Sequence, residues 1–243
     1  MQLEKSDKIE AARLALPIDI FMVLKHHKAL SRSMPKEKCT CASLDGIFTS
    51  LLEQYNVDEL MHSRKPEFKK GKEIFLTCLF AYIIRDVNSI PNIYDICIPV
   101  EDRGTDTYIR EIDREKCQII HHPIQICEMP ERFLDRMDQS ESPTKKVYRF
   151  IKKKKLKHYP KSPNALFVWL EFAGDRRLDI ASLRTMMQTE ESVIPFTQII
   201  LMGRGKGGMF NVFSIYSRNS SREFAFQYNY RTRTVVKLNP INS

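Results

Sequence analysis

Thr105-Asp106-Thr107-Tyr108-Ile109-Arg110-Glu111-Ile112, a short polar break, and then Cys117-Gln118-Ile119-Ile120-His121-His122-Pro123-Ile124-Gln125-Ile126-Cys127-Glu128-Met129-Pro130 read as two adjacent strands that carry polar groups at fixed offsets. Side chains alternate along a strand, so Asp106 shares a face with Tyr108 and Arg110, while His121, Pro123, Gln125 and Cys127 share a face of the second strand. Upstream, Pro66 to about Arg85 has the apolar spacing of a helix, and Ile93 to Val100 is a candidate strand ending in a turn at Glu101-Asp102-Arg103-Gly104. Downstream, Pro143 suits the first turn of a helix in which Val147, Tyr148, Ile151 and Leu156 form a broken apolar stripe. Ala165 to Phe172 is a continuous apolar run, as in a strand buried on both faces. Strand, crossover helix and buried strand make a βαβ unit. A helix from about Asp179 to Thr189 and strands at Phe196 to Met202 and Phe210 to Tyr216 complete an α/β pattern.

An Asp and a Glu on neighbouring strands can hold a hard cation through carboxylate oxygens, and the cation activates water and offsets charge on a phosphoryl group. A third group, usually Lys and sometimes Gln, orients the water. In order and spacing the two strands resemble the PD-(D/E)xK nuclease superfamily, more narrowly bacterial members whose second strand reads roughly Glu-Val-Gln-Ile-x-Glu-x-Pro. The resemblance covers about Lys69 to Ser217. It implies a restriction-endonuclease-like mixed sheet flanked by helices, a Mg²⁺- or Mn²⁺-dependent phosphodiesterase acting on nucleic acid, Asp106 as the first acid and Gln125 as the third group. The second acid would fall at Pro123. Glu73 on the upstream helix, where members often carry an acid, or His121 on the same strand face could replace it. Asp106 and Glu73 are then the expected metal ligands. Glu73 is also explained as an early-helix acid interacting with the helix dipole, and Asp102 is a second-choice acid. The alternative is an inactive nuclease fold kept for nucleic-acid binding or protein assembly, or an unrelated sheet in which Asp106 and Gln125 are ordinary polar residues.

Lys plus Arg number 39 against 30 Asp plus Glu, a net charge of +9 that favours a polyanionic partner. Much of the excess lies between Lys145 and Lys161. Lys152, Lys153, Lys154, Lys155 and Lys157 could follow phosphates, or form the solvated face of a crossover helix. Gly203-Arg204-Gly205-Lys206-Gly207-Gly208 lacks the Lys-Ser/Thr and following helix of a nucleotide loop and reads as a hairpin turn, with Arg204 and Lys206 within reach of a backbone. Phe224 to Lys237 alternates aromatic and polar residues, as expected of a terminal hairpin.

Residues 1–65 read as a helical appendage to a nuclease-like domain at 66–243, with a helix at Leu44 to Met61 and a polar linker from Ser31 to Cys41. The appendage could serve a homodimer or a protein partner. Cys78, Cys97, Cys117 and Cys127 read as reduced thiols in a cytoplasmic protein. A zinc site at Cys39 and Cys41 with His26 and His27 has weak spacing. No early apolar block or ~20-residue apolar stretch suggests a secretory signal or membrane span.

Overall fold

The computed structural model describes residues 39–88, 92–100, 105–135, 140–153, 165–171, 177–218 and 224–238. Nine strands form one sheet in which spatial order equals chain order: β1 (Cys39–Ser43), β2 (Ile93–Pro99), β3 (Thr107–Asp113), β4 (Gln118–Met129), β5 (Ala165–Leu170), β6 (Gln198–Arg204), β7 (Met209–Ser217), β8 (Ala225–Asn229) and β9 (Thr234–Lys237). Only β4–β5 and β5–β6 are parallel. A parallel step needs a crossover, and the two here contain α5 (Pro143–Ile151) and α6 (Ile180–Gln188). Among the antiparallel neighbours, β1 and β2 are separated by three helices, and the others have no α-helix between them among the described residues. At the β6–β7 turn Gly207 and Gly208 take φ of 66° and 80°, a conformation that suits residues without Cβ.

Helices α1 (Leu44–Gln54), α2 (Val57–His62) and α3 (Pro66–Asn88) cover one face, and α4 (Glu131–Asp135), α5 and α6 the other. Four helices begin at a side-chain cap. Ser43 caps α1, Asn56 caps α2, Ser142 caps α5 with Pro143 at its first position, and Asp179 caps α6.

The first core is organised around α3. A single apolar stripe is expected of a surface helix, but residues 71–83 are all buried, the condition of a helix enclosed on every side. Aromatic contacts radiate from it to well-separated strands: Phe80 with Phe167 of β5 at 4.8 Å, Phe75 with Phe210 of β7 at 5.6 Å, and Tyr82 with Tyr228 of β8 at 5.7 Å. Thr77 reaches Thr107 of β3. The sheet therefore curls round α3 and brings β3 and β8 to one helix.

Residues 39–62, expected as linker and appendage, supply an edge strand and two helices of this same core. The helical region expected from Leu44 to Met61 consists of two helices, because Asn56 leaves the helical path to cap the second. Cys41 and Cys97, opposite each other on β1 and β2, form a disulfide with Cα atoms 4.0 Å apart. This corrects the expectation of a reduced Cys97 and removes Cys41 from any zinc site. Cys39, Cys78, Cys117 and Cys127 are thiols. His26, His27, the rest of residues 1–38 and Asp102 lie outside the described residues. Among the described residues no helix is long and apolar enough to cross a membrane.

Candidate active site

Asp106 immediately precedes β3. Its N–H donates to the Ile124 carbonyl at 2.9 Å, although the register partner of Ile124 is Thr107. Two consecutive residues thus face one on β4, the arrangement of a β-bulge, which ends a ladder and re-aims a side chain. Where the ladder ends, the carboxylate substitutes for the backbone: Asp106 Oδ2 accepts the Ile126 N–H at 2.6 Å.

The displacement sets Asp106 against the first turns of α3. Lys70 Nζ donates to the Asp106 carbonyl oxygen at 2.6 Å and to Glu73 Oε2 at 3.0 Å. One turn further on, Thr77 Oγ1 donates to the Glu73 carbonyl at 2.8 Å and lies 2.7 Å from Thr107 Oγ1. Helix and strand are joined on both sides of the acid pair, so the positions of Glu73 and Asp106 depend on each other.

The Glu73 side chain is 8% exposed. Burial raises its pKa, and the neighbouring Asp106 charge raises it further; Lys70 and Lys69, the latter 3.7 Å from Oε1, pull it down without cancelling the rise. Two carboxylates beside a main-chain carbonyl are hard oxygen donors suited to Mg²⁺ or Mn²⁺. Among the described residues no three His, Cys, Asp or Glu side chains converge. A cation on Asp106 and Glu73 would therefore take its other ligands from water and substrate, as Mg²⁺ commonly does.

Other charges at this end of the sheet are committed to one another. The buried Lys72 ammonium pairs with Glu128 at the end of β4 and donates to the Ser63 carbonyl at 3.1 Å. Glu171, just past β5, accepts from Arg64 at 3.2 Å. Arg204, ending β6, pairs with Asp58 beside His62.

The predicted set is brought together only in part. Glu73 and Asp106 meet. Gln125 is buried on the opposite side of β4, the side of Cys127 and Met129, which pack in the α4–α6 core. His121 stands across from Arg110, four residues along β3 from Asp106, or about 13 Å at the usual strand rise. Of the basic helix, Lys152 is paired with Glu190 at 2.5 Å and Lys153 is exposed; Lys154, Lys155 and Lys157 lie outside the described residues. Glu128 occupies the α3 side of β4, as alternation from Gln125 requires. Lys70 was not anticipated. Its signal is the Lys70–Glu73 spacing, which puts both on one helix face.

Elsewhere on the α3 side, Glu111 accepts from Asn92 at 2.7 Å and Tyr94 at 3.3 Å and pairs with His122 at 2.8 Å. These bonds, His122 foremost, hold its carboxyl below the usual range. Such saturation is that of a structural anchor. Compared with models of protein families, with curated proteins and with solved structures, the chain matches none.

Proposed function

We propose that the chain is a metal-dependent phosphodiester hydrolase acting on nucleic acid, a restriction-endonuclease-like fold of PD-(D/E)xK type in which Asp106, Glu73 and Lys70 form the working set. The observation that carries this is the placing of an Asp, a Glu and a Lys where β3 and β4 part, with the Lys70 ammonium donating to the Glu73 carboxylate and to the Asp106 main-chain carbonyl. The element order supports it: α3, the antiparallel β2–β4, the crossover with α5, then parallel β5. Glu73 supplies the acid absent at Pro123, and Lys70 the water-orienting group that Gln125, on the far side of β4, does not.

When bound at Asp106 and Glu73, Mg²⁺ or Mn²⁺ would lower the pKa of water and offset charge on the phosphoryl oxygens. Asp106 is oriented for ligation by the Ile126 N–H, which fixes its carboxylate plane. Lys70, part-exposed and held at two points, directs its ammonium toward the attacking water and the developing negative charge. With Glu73 and Asp106 holding the cation, the proton of the attacking water would pass to bulk water as the O–P bond forms and the ester P–O bond breaks.

Cleavage of labelled single- and double-stranded DNA and RNA with Mg²⁺ or Mn²⁺ tests this. Wild type should cut at least one substrate, and Asp106→Ala, Glu73→Ala and Lys70→Ala should each lose about 10²-fold or more. The second reading, an inactive binding protein, is favoured by Pro123 and by the commitment of Glu128 to Lys72. Binding without cutting by wild type would establish it and end the hydrolase proposal.

A further inference from the structure

Arg64-Lys65-Pro66-Glu67-Phe68-Lys69-Lys70-Gly71-Lys72, which opens α3, holds five cations in nine residues. Folding gives little reason for them, because the first turn of a helix is the positive end of its dipole and disfavours cations. Two are accounted for: Lys72 neutralises Glu128 and Lys70 belongs to the acid pair. The other three face solvent, Arg64 with 57% and Lys69 with 73% of the side chain exposed, and Lys65 exposed as well. In each ion pair the cation is the exposed partner: Lys69 is 3.7 Å from Glu73, whose side chain is 8% exposed, and Arg64 pairs with Glu171, which is 9% exposed, while Lys65 lies 6.0 Å over the Phe68 ring. The outward sides of these three cations are open to a phosphate from solvent.

The segment is also continuous with the site. Lys69 adjoins Lys70 and is one turn from Glu73, about 5.4 Å along the helix axis. Of the described cations of the basic helix, Lys145 and Lys153 are exposed, whereas Lys146 is buried and donates to the Leu134 carbonyl, Arg149 pairs with Glu141 at 2.8 Å and Lys152 with Glu190.

We infer that Arg64, Lys65 and Lys69 grip the phosphodiester backbone at the mouth of the acid pair, and that α5 does not provide the main phosphate contact. This rests on the proposed nucleic-acid function and adds where the strand lies. Such contacts position the strand without reading its bases, so affinity should vary little with sequence.

The test is fluorescence anisotropy of short labelled single- and double-stranded DNA and RNA in EDTA, where binding is read apart from cleavage, across a salt series. It compares wild type with the Arg64→Ala/Lys65→Ala/Lys69→Ala triple variant and with Lys145→Ala/Lys153→Ala on α5. The triple variant should melt like wild type, lose at least about tenfold in low-salt affinity, and show a salt slope shallower by about two to three; the α5 variant should bind like wild type. An unchanged triple variant, or a greater loss from the α5 variant, overturns the inference and leaves the hydrolase reading intact. Absence of binding by wild type to every oligonucleotide overturns both.

Discussion

Glu73 carries the site's electrostatic cost. Its pKa is raised in the folded chain, so folding favours the protonated form, and the associated stability is complete below the ordinary carboxylate range and lost as pH rises through the raised value. Glu73→Gln imitates the protonated state. Its melting temperature should match that of wild type near pH 4 and exceed it by about 2–4 °C at pH 8, the shift that about 1 kcal/mol produces in a chain of this size. Melting curves across pH check this, and a variant less stable than wild type at pH 8 would mean that Lys70 and Lys69 already compensate the charge. Added Mg²⁺ should narrow the gap by stabilising wild type alone. In the sequence, Pro123 stands where the superfamily resemblance would put the second acid, and the same resemblance made Glu73 on the upstream helix a candidate for its place. Gln125 and His121 stay apart from Glu73 for different reasons: Gln125 is buried on the other side of β4, and His121 stands across from Arg110, four residues along β3 from Asp106.

Among elements, strongly patterned segments were legible and edge or enclosed ones were not. The apolar run of β5, the Pro143 start of α5 and the terminal hairpin emerge near their expected positions. β1 did not, because Cys39-Thr40-Cys41-Ala42-Ser43 has neither apolar alternation nor bulk. The all-round burial of α3 was hidden as well, because a stripe argument assumes one wet face. The cross-strand disulfide ties these unforeseen elements together. Cys41 and Cys97 are 56 positions apart, and the loop they close contains α1, α2 and α3. Closing a loop of that size restricts the unfolded chain by about 4 kcal/mol in the chain-entropy account. Reduction should accordingly lower the melting temperature by about 10 °C. Calorimetry with and without a thiol reductant checks this, with Cys97→Ala expected to melt like the reduced protein and to ignore the reductant. Equal melting with and without reductant would remove the bridge from the stability of this layer.

Across the whole molecule, one helix is the common contact of distant strands, with Phe75, Phe80 and Tyr82 linking β5, β7 and β8 to α3. Local opening cannot expose such a segment without detaching most of the sheet. Amide hydrogens from Phe75 to Ile83 should exchange only through global unfolding, and those of the solvent-facing first turn, around Lys69 and Lys70, much earlier. Hydrogen-exchange mass spectrometry resolves the two, and fast exchange at 75–83 would contradict a helix enclosed by its sheet. Glu73 lies at the boundary between them, two residues before the segment that opens last. Many active sites soften before their proteins melt, because they are built on loops. Here Glu73 rides on a helix enclosed by its sheet, so its position should hold on heating until the fold melts, while Lys70 on the first turn is released earlier.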